Sequence, residues 1–109
     1  LNVHEGLQAI SPNNDIKFEE GMIVSNEPGY YEKNKFGIRI ENLIYVKKSN
    51  NNKLNFDNLT YAPIDLDIVK FNMLNKNERN YINNYNNEVY NKIGPYLSKK
   101  EREWLKFKN

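Results

Sequence analysis

The tripeptide Arg39-Ile40-Glu41 places a guanidinium and a carboxylate two residues apart. In an extended strand, residues two apart point to the same face, so Arg39 and Glu41 are predicted to share one. Ile38 and Ile40 are predicted to pack on the other. A carboxylate among apolar neighbours needs a partner because an isolated buried charge is costly, and Arg39 is the candidate partner. The alternative is an ordinary ion pair on an exposed strand face, which would contribute little to stability.

Glu27 stands at the end of a short apolar run, directly before the turn sequence Pro28-Gly29. The backbone holds a carboxylate firmly at a strand end, and the open mouth of the sheet leaves it accessible to a ligand. Carboxylate oxygens are ligands that divalent metal ions take in proteins. Glu27 is therefore a candidate metal ligand, and the alternative is a solvated acid at a strand end.

His4, in the sequence His4-Glu5-Gly6, is the single histidine of the chain. An imidazole with an ordinary pKa of about 6.5 suits proton transfer, although a lone histidine is commonly a surface residue or a hydrogen-bonded core residue. Two carboxylates and one histidine fall short of the ligands that hold two metal ions about 3.5–4 Å apart. The residues alone therefore leave two interpretations open: the chemistry is absent, or the remaining ligands lie on another polypeptide.

The clearest strand signal covers residues 36–46, where apolar and charged residues first alternate and then give way to an apolar run. A bulge or a change of face is predicted near Asn42. Three further elements are predicted in this part of the chain: a short buried strand at 22–24, a hairpin connection at 30–35 with Asn34 in its turn, and a strand at 56–63.

A long helix is predicted after Asn75, which has the spacing of a capping box with Glu78. Gly94-Pro95 predicts where this helix ends. Apolar residues recur along it at steps of three and four, which gives one apolar face. The members of that face are Ile82, Tyr85, Val89 and Ile93.

A second, shorter helix is predicted after Ser98, which has the same capping spacing with Glu101. It carries Trp104 and Leu105, and Trp104 is predicted either to make dimer contacts or to pack in the core. Because strands come first and helices follow, the sequence predicts an α+β fold.

Composition narrows the classes of function. The chain has 109 residues, enough for one small domain or a part of a larger one. Its 16 basic and 14 acidic residues give a net charge of +2, too even to predict a nucleic-acid or membrane partner. Without cysteine there is no disulfide framework and no thiolate metal site, which fits a reducing compartment.

Three segments together resemble one enzyme family. They are residues 1–6 (LNVHEG), 20–31 (EGMIVSNEPGYY) and 36–42 (FGIRIEN). This combination is similar to the C-terminal part of eukaryotic-type aminopeptidase P, or X-Pro aminopeptidase, and residues 59–66 and 94–97 also resemble its tail. The family has the pita-bread fold of prolidase, creatinase and methionine aminopeptidase. The resemblance implies a curved antiparallel sheet with flanking helices, incomplete without an N-terminal remainder.

The same resemblance implies roles for four residues. Glu27 would bind one metal ion and pass protons during turnover, and Glu41 would bridge both ions. His4 would lie near the substrate carbonyl, and Arg39 would orient a ligating carboxylate. The other ligands of the family, two aspartates and one histidine, are expected outside this chain. Residues 1–70 are expected to form the part of the catalytic domain with the metal-ligand strands, and residues 71–109 its helical tail.

The implied activity is hydrolysis of the bond between the first residue of a peptide and a following proline, with two divalent metal ions. A site rich in carboxylates and free of sulfur favours manganese, with zinc or cobalt as alternatives. The alternative functions are a prolidase-like dipeptidase and an inactive pita-bread domain that binds peptides or proteins. The expected partners are the N-terminal remainder of the enzyme and a second copy in a homodimer.

Further expectations concern the start of the chain, its folding in isolation and its location in the cell. Because the chain begins at Leu1, a preceding segment is expected, and the isolated chain is expected not to fold stably with open strand edges. A cytoplasmic location is predicted for the enzyme, with a degradative, vacuole-type compartment as the alternative.

Overall fold

Five strands form in the first of the two units into which the chain divides, between Thr60 and Tyr61. The structure is a computed structural model that describes residues 6–107. The strands are short, and all their pairings are antiparallel. They are β1 (Ile23–Asn26), β2 (Gly29–Glu32), β3 (Phe36–Arg39), β4 (Asn42–Lys48) and β5 (Leu54–Asn58).

Strand β4 is the centre of a three-stranded sheet in the order β1-β4-β5. Alternate residues of β4 face its core, so Ile44 and Val46 are buried while Leu43 and Lys47 are exposed. Val24 of β1 lies opposite Ile44 and is also buried. These branched residues suit a pleated, half-buried surface.

Strands β2 and β3 form a separate two-stranded ribbon that is closed by a tight turn. Asn34 in this turn has a φ of 60°, in the left-handed region that asparagine tolerates better than most residues. The predicted place of Asn34 in a turn is therefore confirmed. The connection is shorter than the predicted 30–35, because residues 30–32 already belong to β2 and pair with β3.

The predicted strand at 36–46 is divided in the structure, since β3 ends at Arg39 and β4 begins at Asn42. The expected packing of Ile38 and Ile40 is wrong for the described residues, because their exposed fractions are 49% and 51%. The reason is that Ile38 belongs to a narrow ribbon that leaves its faces open. The strand predicted at 56–63 is found as β5, which starts and ends earlier.

In the second unit, as far as residue 107, two α-helices form: α1 (Lys76–Ile93) and α2 (Lys99–Phe107). The Asn75 side chain accepts a hydrogen bond from the Glu78 N–H at 3.0 Å, and the Glu78 carboxylate accepts one from the Asn75 N–H at 2.8 Å. This is the predicted capping box. The core of the unit consists of Tyr85, Val89 and Leu105.

A buried asparagine ties the segment before the helices to α1. Asn86 is 1% exposed, and its Oδ1 accepts a hydrogen bond from the Ile64 N–H at 3.0 Å. Its Nδ2 donates to the Ile64 carbonyl at 3.2 Å, and the Tyr85 hydroxyl donates to the Ala62 carbonyl at 2.8 Å. One amide side chain thus satisfies both backbone groups of Ile64, as a paired strand would.

Leu105 and Trp104 of α2 have opposite environments. Leu105 is buried, whereas Trp104 is 57% exposed, so the predicted core-packing role of Trp104 is wrong and its dimer contact stays a prediction. Two antiparallel sheets and two helices confirm the α+β class. Among the described residues, no helix is both long and apolar enough to cross a membrane.

Candidate metal centre

The two candidate glutamates lie where the chain passes between the three-stranded sheet and the β2–β3 ribbon. The β1–β4 pairing ends with Asn26 opposite Asn42, and the β2–β3 pairing begins with Gly29 opposite Arg39. The two pairings follow one register, which is interrupted by a short gap. Within this gap the Ile40 N–H donates a hydrogen bond to the Pro28 carbonyl at 3.2 Å. Continuing either pairing places Glu27 directly opposite Glu41.

This placement is electrostatically unfavourable for the protein alone. Like charges at directly opposed strand positions destabilise an antiparallel pair, so two opposed carboxylates need positive charge nearby. Glu27 is half-buried and Glu41 is exposed, which leaves Glu41 accessible from solvent. The arrangement is one that a cation would stabilise.

Arg39 supplies part of that positive charge. Its Nη1 donates to Glu27 Oε2, and its Nε donates to the Tyr31 hydroxyl at 2.8 Å. The hydrogen bond with Tyr31, with the charges of Glu27 and Glu41 nearby, raises the pKa of Arg39 above its ordinary value. The guanidinium therefore stays charged. The carboxylate to which it bonds is Glu27, not the Glu41 that the tripeptide pattern indicated.

Ser25 holds the second oxygen of the Glu27 carboxylate. Ser25 Oγ donates to Glu27 Oε1 at 2.6 Å, and the two residues are two apart in an extended segment. With Arg39 on Oε2, both oxygens of Glu27 are oriented by protein donors. A carboxylate oxygen has two lone pairs, so a hydrogen bond from one protein donor does not by itself prevent that oxygen from binding a metal ion.

The described residues provide some, but not all, of the oxygen ligands that a hard divalent ion needs. Glu27 and Glu41 offer carboxylate oxygens, which manganese and similar ions prefer. Within residues 6–107, no group of three or more histidine, cysteine or acidic side chains is close enough together to hold a metal ion. His4 lies outside the described residues, so its predicted role stays a prediction. The described residues thus contribute two ligand candidates and their supports.

A hollow of about 250 Å³ lies beside Glu27. Its polar wall is formed by Ser25, Asn26 and Glu27, and its apolar wall by Ala9, Ile10 and Pro28. The hollow gives a small ligand room next to the Glu27 carboxylate.

Two residues of this site were missed from the sequence alone. Tyr31 stands four residues after Glu27, so an extended segment brings both to one face. Ser25 stands two residues before Glu27 and follows the same rule. The period-two rule that puts Arg39 and Glu41 on one face is therefore the sequence signal for both residues.

Comparison with known proteins identifies the class of this chain. The model of the C-terminal region of peptidase M24 matches residues 52–108, and the model of metallopeptidase family M24 matches residues 1–48. The chain belongs to metallopeptidase family M24.

Within this family, similar proteins are named as Xaa-Pro aminopeptidases. The chain is 42% identical to a probable Xaa-Pro aminopeptidase P of Coprinopsis cinerea and 44% identical to Xaa-Pro aminopeptidase 1 of Dictyostelium discoideum. Each match covers 97% of this chain and 19% of the relative. The chain thus spans less than a fifth of the length of these curated relatives. The resemblance to aminopeptidase P is confirmed.

A solved structure supports the same relationship. The chain resembles an X-prolyl aminopeptidase from Caenorhabditis elegans, described as a cytosolic enzyme with a di-nuclear active site. The TM-score is 0.75 at 31% identity, over 84% of this chain and 16% of that one. The fold is therefore the C-terminal part of the pita-bread fold, as the resemblance implied.

Proposed function

We propose that this chain supplies part of the dinuclear metal site of an Xaa-Pro aminopeptidase. The observation that carries the proposal is the opposed pair Glu27 and Glu41, placed by one continuous strand register and supported by Arg39 and Ser25. The relatives and the solved structure support the same activity through their names and the di-nuclear site of that structure.

In this proposal Glu27 would be a ligand of one divalent ion and Glu41 a ligand of both. When bound, the two ions would lower the pKa of a water molecule and polarise the substrate carbonyl. Arg39 and Ser25 hold the Glu27 carboxylate in one orientation, and Glu27 also accepts and releases protons during turnover. His4 donates a hydrogen bond to the substrate carbonyl oxygen. Manganese is the proposed metal, with zinc and cobalt as the competing choices.

The remaining ligands, two aspartates and one histidine, come from the N-terminal remainder of the enzyme in this proposal. The chain's share of its relatives, less than a fifth, leaves ample length for them. Residues 1–70 carry the metal-ligand strands and residues 71–109 form the helical tail. The whole enzyme is proposed to be a homodimer. We propose a cytosolic location for it, supported by the similar solved enzyme, which is described as cytosolic.

The test is an assay of the full-length enzyme on matched peptides that differ only at the second residue. We expect release of the first residue from Xaa-Pro peptides and at least tenfold slower release from Xaa-Ala peptides, since hydrolysis is proposed to be proline-specific. Chelation should abolish the activity, and added Mn²⁺, Zn²⁺ or Co²⁺ should restore it to different degrees. Cleavage of Xaa-Pro dipeptides alone would favour prolidase, and no cleavage with bound metal would favour a binding domain.

Replacing Arg39 with lysine in the full-length enzyme is expected to lower kcat/KM by about 10- to 100-fold, the usual cost of losing a group that orients a metal ligand. Lysine keeps the charge but cannot hold Tyr31 and Glu27 at once in the planar geometry of a guanidinium. Steady-state kinetics measures the loss. The matched control is Arg79→Lys, because Arg79 is an exposed arginine on α1. Equal activities of the two variants would contradict the role of Arg39.

A further inference from the structure

The ring of Tyr31 occupies space that two other side chains would need. Gly37 lies directly opposite Tyr31 in the β2–β3 register, and Gly29 lies two residues before it on the same face. A Cβ on Gly37 would be 2.6 Å from Tyr31 Cδ1, and a Cβ on Gly29 would be 2.7 Å from Tyr31 Cε2. Both distances are far shorter than van der Waals contact. The ring can lie across these positions only because both are glycine.

The position of the ring determines what the Tyr31 hydroxyl reaches. Gly29 is opposite Arg39, so a ring that crosses Gly29 brings its hydroxyl to the arginine. The hydroxyl lies 2.8 Å from Arg39 Nε, and the guanidinium carbon lies 5.8 Å from the ring centroid. Arg39 in turn bonds to Glu27. Contacts thus run without interruption from the two glycines to the candidate metal ligand.

Stability alone does not explain this arrangement. Glycine weakens a strand because it loses more conformational freedom on folding and offers no side chain to pack. Each of these four-residue strands nevertheless contains one glycine, and the ring above them is 62% exposed. An aromatic ring that covers glycines recovers part of the lost packing. What the glycines add beyond packing is a fixed place for the Tyr31 hydroxyl.

We propose that Gly29 and Gly37 are positioning residues of the metal site, forming a floor on which the Tyr31 ring lies so that Arg39 orients Glu27. The inference rests on the proposed function, because it assigns a purpose to contacts around a proposed metal ligand. We call Gly29 and Gly37 the glycine floor. The glycine floor acts through the Tyr31 hydroxyl. Its effect can therefore be distinguished from a general loss of stability by removing that hydroxyl.

The test is Gly37→Ala in the full-length enzyme, with the affinity of the metal-free protein for Mn²⁺ measured by calorimetric titration. The added methyl group displaces an exposed ring, which can swing into solvent, so the enzyme should fold and unfold as the wild type does. Loss of the Tyr31–Arg39 bond should weaken Mn²⁺ binding about tenfold, the lower end of the range for groups around a metal site.

A double-mutant cycle separates the route through Tyr31 from other effects. Tyr31→Phe removes the hydroxyl and should weaken Mn²⁺ binding by a similar factor. In that background Gly37→Ala should cause no further loss. The matched control is Gly94→Ala, because a Cβ there would meet its nearest neighbour at an ordinary 3.7 Å. That variant should bind Mn²⁺ as the wild type does.

Three results would overturn the inference: wild-type Mn²⁺ affinity in Gly37→Ala, wild-type affinity in Tyr31→Phe, or equal losses from Gly37→Ala with and without the Tyr31 hydroxyl. If Gly37→Ala lowers the melting temperature, Gly29→Ala takes its place in the same cycle with Tyr31→Phe, because a Cβ on Gly29 would also meet the Tyr31 ring, at 2.7 Å. A wild-type enzyme that binds Mn²⁺ but does not cleave Xaa-Pro peptides contradicts the proposed function and leaves the glycine floor standing. An active wild type with an unaffected Gly37→Ala variant contradicts only the floor.

Discussion

Replacing Glu41 with glutamine in the full-length enzyme is expected to lower kcat/KM for an Xaa-Pro peptide by on the order of 100-fold or more. Glutamine keeps the size of the side chain but removes the charge and one acceptor oxygen, so it cannot bridge two cations. Metal ions contribute several kcal/mol to catalysis of this kind, and the proposed bridge holds both of them. Steady-state kinetics gives the loss of activity, and elemental analysis gives the metal bound per protomer.

The matched control for this variant is Glu103→Gln. Glu103 is an exposed glutamate on α2, so the same change of charge there should leave both activity and metal content unaltered. A Glu41→Gln enzyme with wild-type activity and two bound ions would contradict the bridging role. A loss of activity with a full metal complement would indicate that Glu41 acts on the substrate instead.

Replacing Asn86 with alanine is expected to destabilise the second unit by about 3 kcal/mol. The change removes two hydrogen bonds and leaves the Ile64 N–H and carbonyl without this partner, at roughly 1–3 kcal/mol for buried polar groups. It also opens a cavity at a residue that is 1% exposed. Hydrogen exchange of the α1 amides in the full-length protein should become about a hundredfold faster.

Two further variants make the Asn86 experiment specific. Asn84→Ala changes an exposed asparagine on the same helix and should alter the exchange rates little. Asn86→Asp keeps the size of the side chain but turns an acceptor toward the Ile64 carbonyl, so it should also destabilise. Unchanged exchange in Asn86→Asp would show that the cavity, and not the hydrogen bonds, causes the effect of alanine.

The helical part of the chain was largely predictable from sequence, because its signals are local. The capping box of Asn75 and Glu78 depends on residues within one turn, and the apolar spacing of Tyr85 and Val89 identifies the core face. The role of Asn86 was not predictable. Helical spacing puts Asn86 on the apolar face, four residues after Ile82 and three before Val89, but its partner lies at Ile64, far away in sequence, and no local pattern indicates that partner.

The strand region was less predictable from the sequence than the helical part. Alternation predicted that Arg39 and Glu41 share a face, but it could not reveal the break at residues 40–41 between the β2–β3 ribbon and the three-stranded sheet, which follow one register. It also suggested packing for Ile38, which is exposed. Pairing between distant segments decides these features. The partnership of Arg39 with Glu27 has the same origin, since only the fold brings residues twelve apart together.

The candidate site itself required both kinds of information. By spacing alone, Glu27 and Glu41 were each explained as well by ordinary surface chemistry. Their resemblance to one family singled them out, and the strand register then placed them opposite each other. The period-two rule allows Ser25 and Tyr31 to share a face with Glu27, but their hydrogen bonds, and the place of the two glycines under the Tyr31 ring, are visible only in the contacts.

Anomalous X-ray diffraction from crystals of the full-length enzyme soaked in Mn²⁺ tests the central claim most directly. We expect two anomalous peaks about 3.5–4 Å apart, with Glu41 oxygens on both ions and a Glu27 oxygen on one. Arg39 and Ser25 should still bond to Glu27 in that structure. Two ions bound by other residues, with neither glutamate among their ligands, would contradict the proposed metal centre.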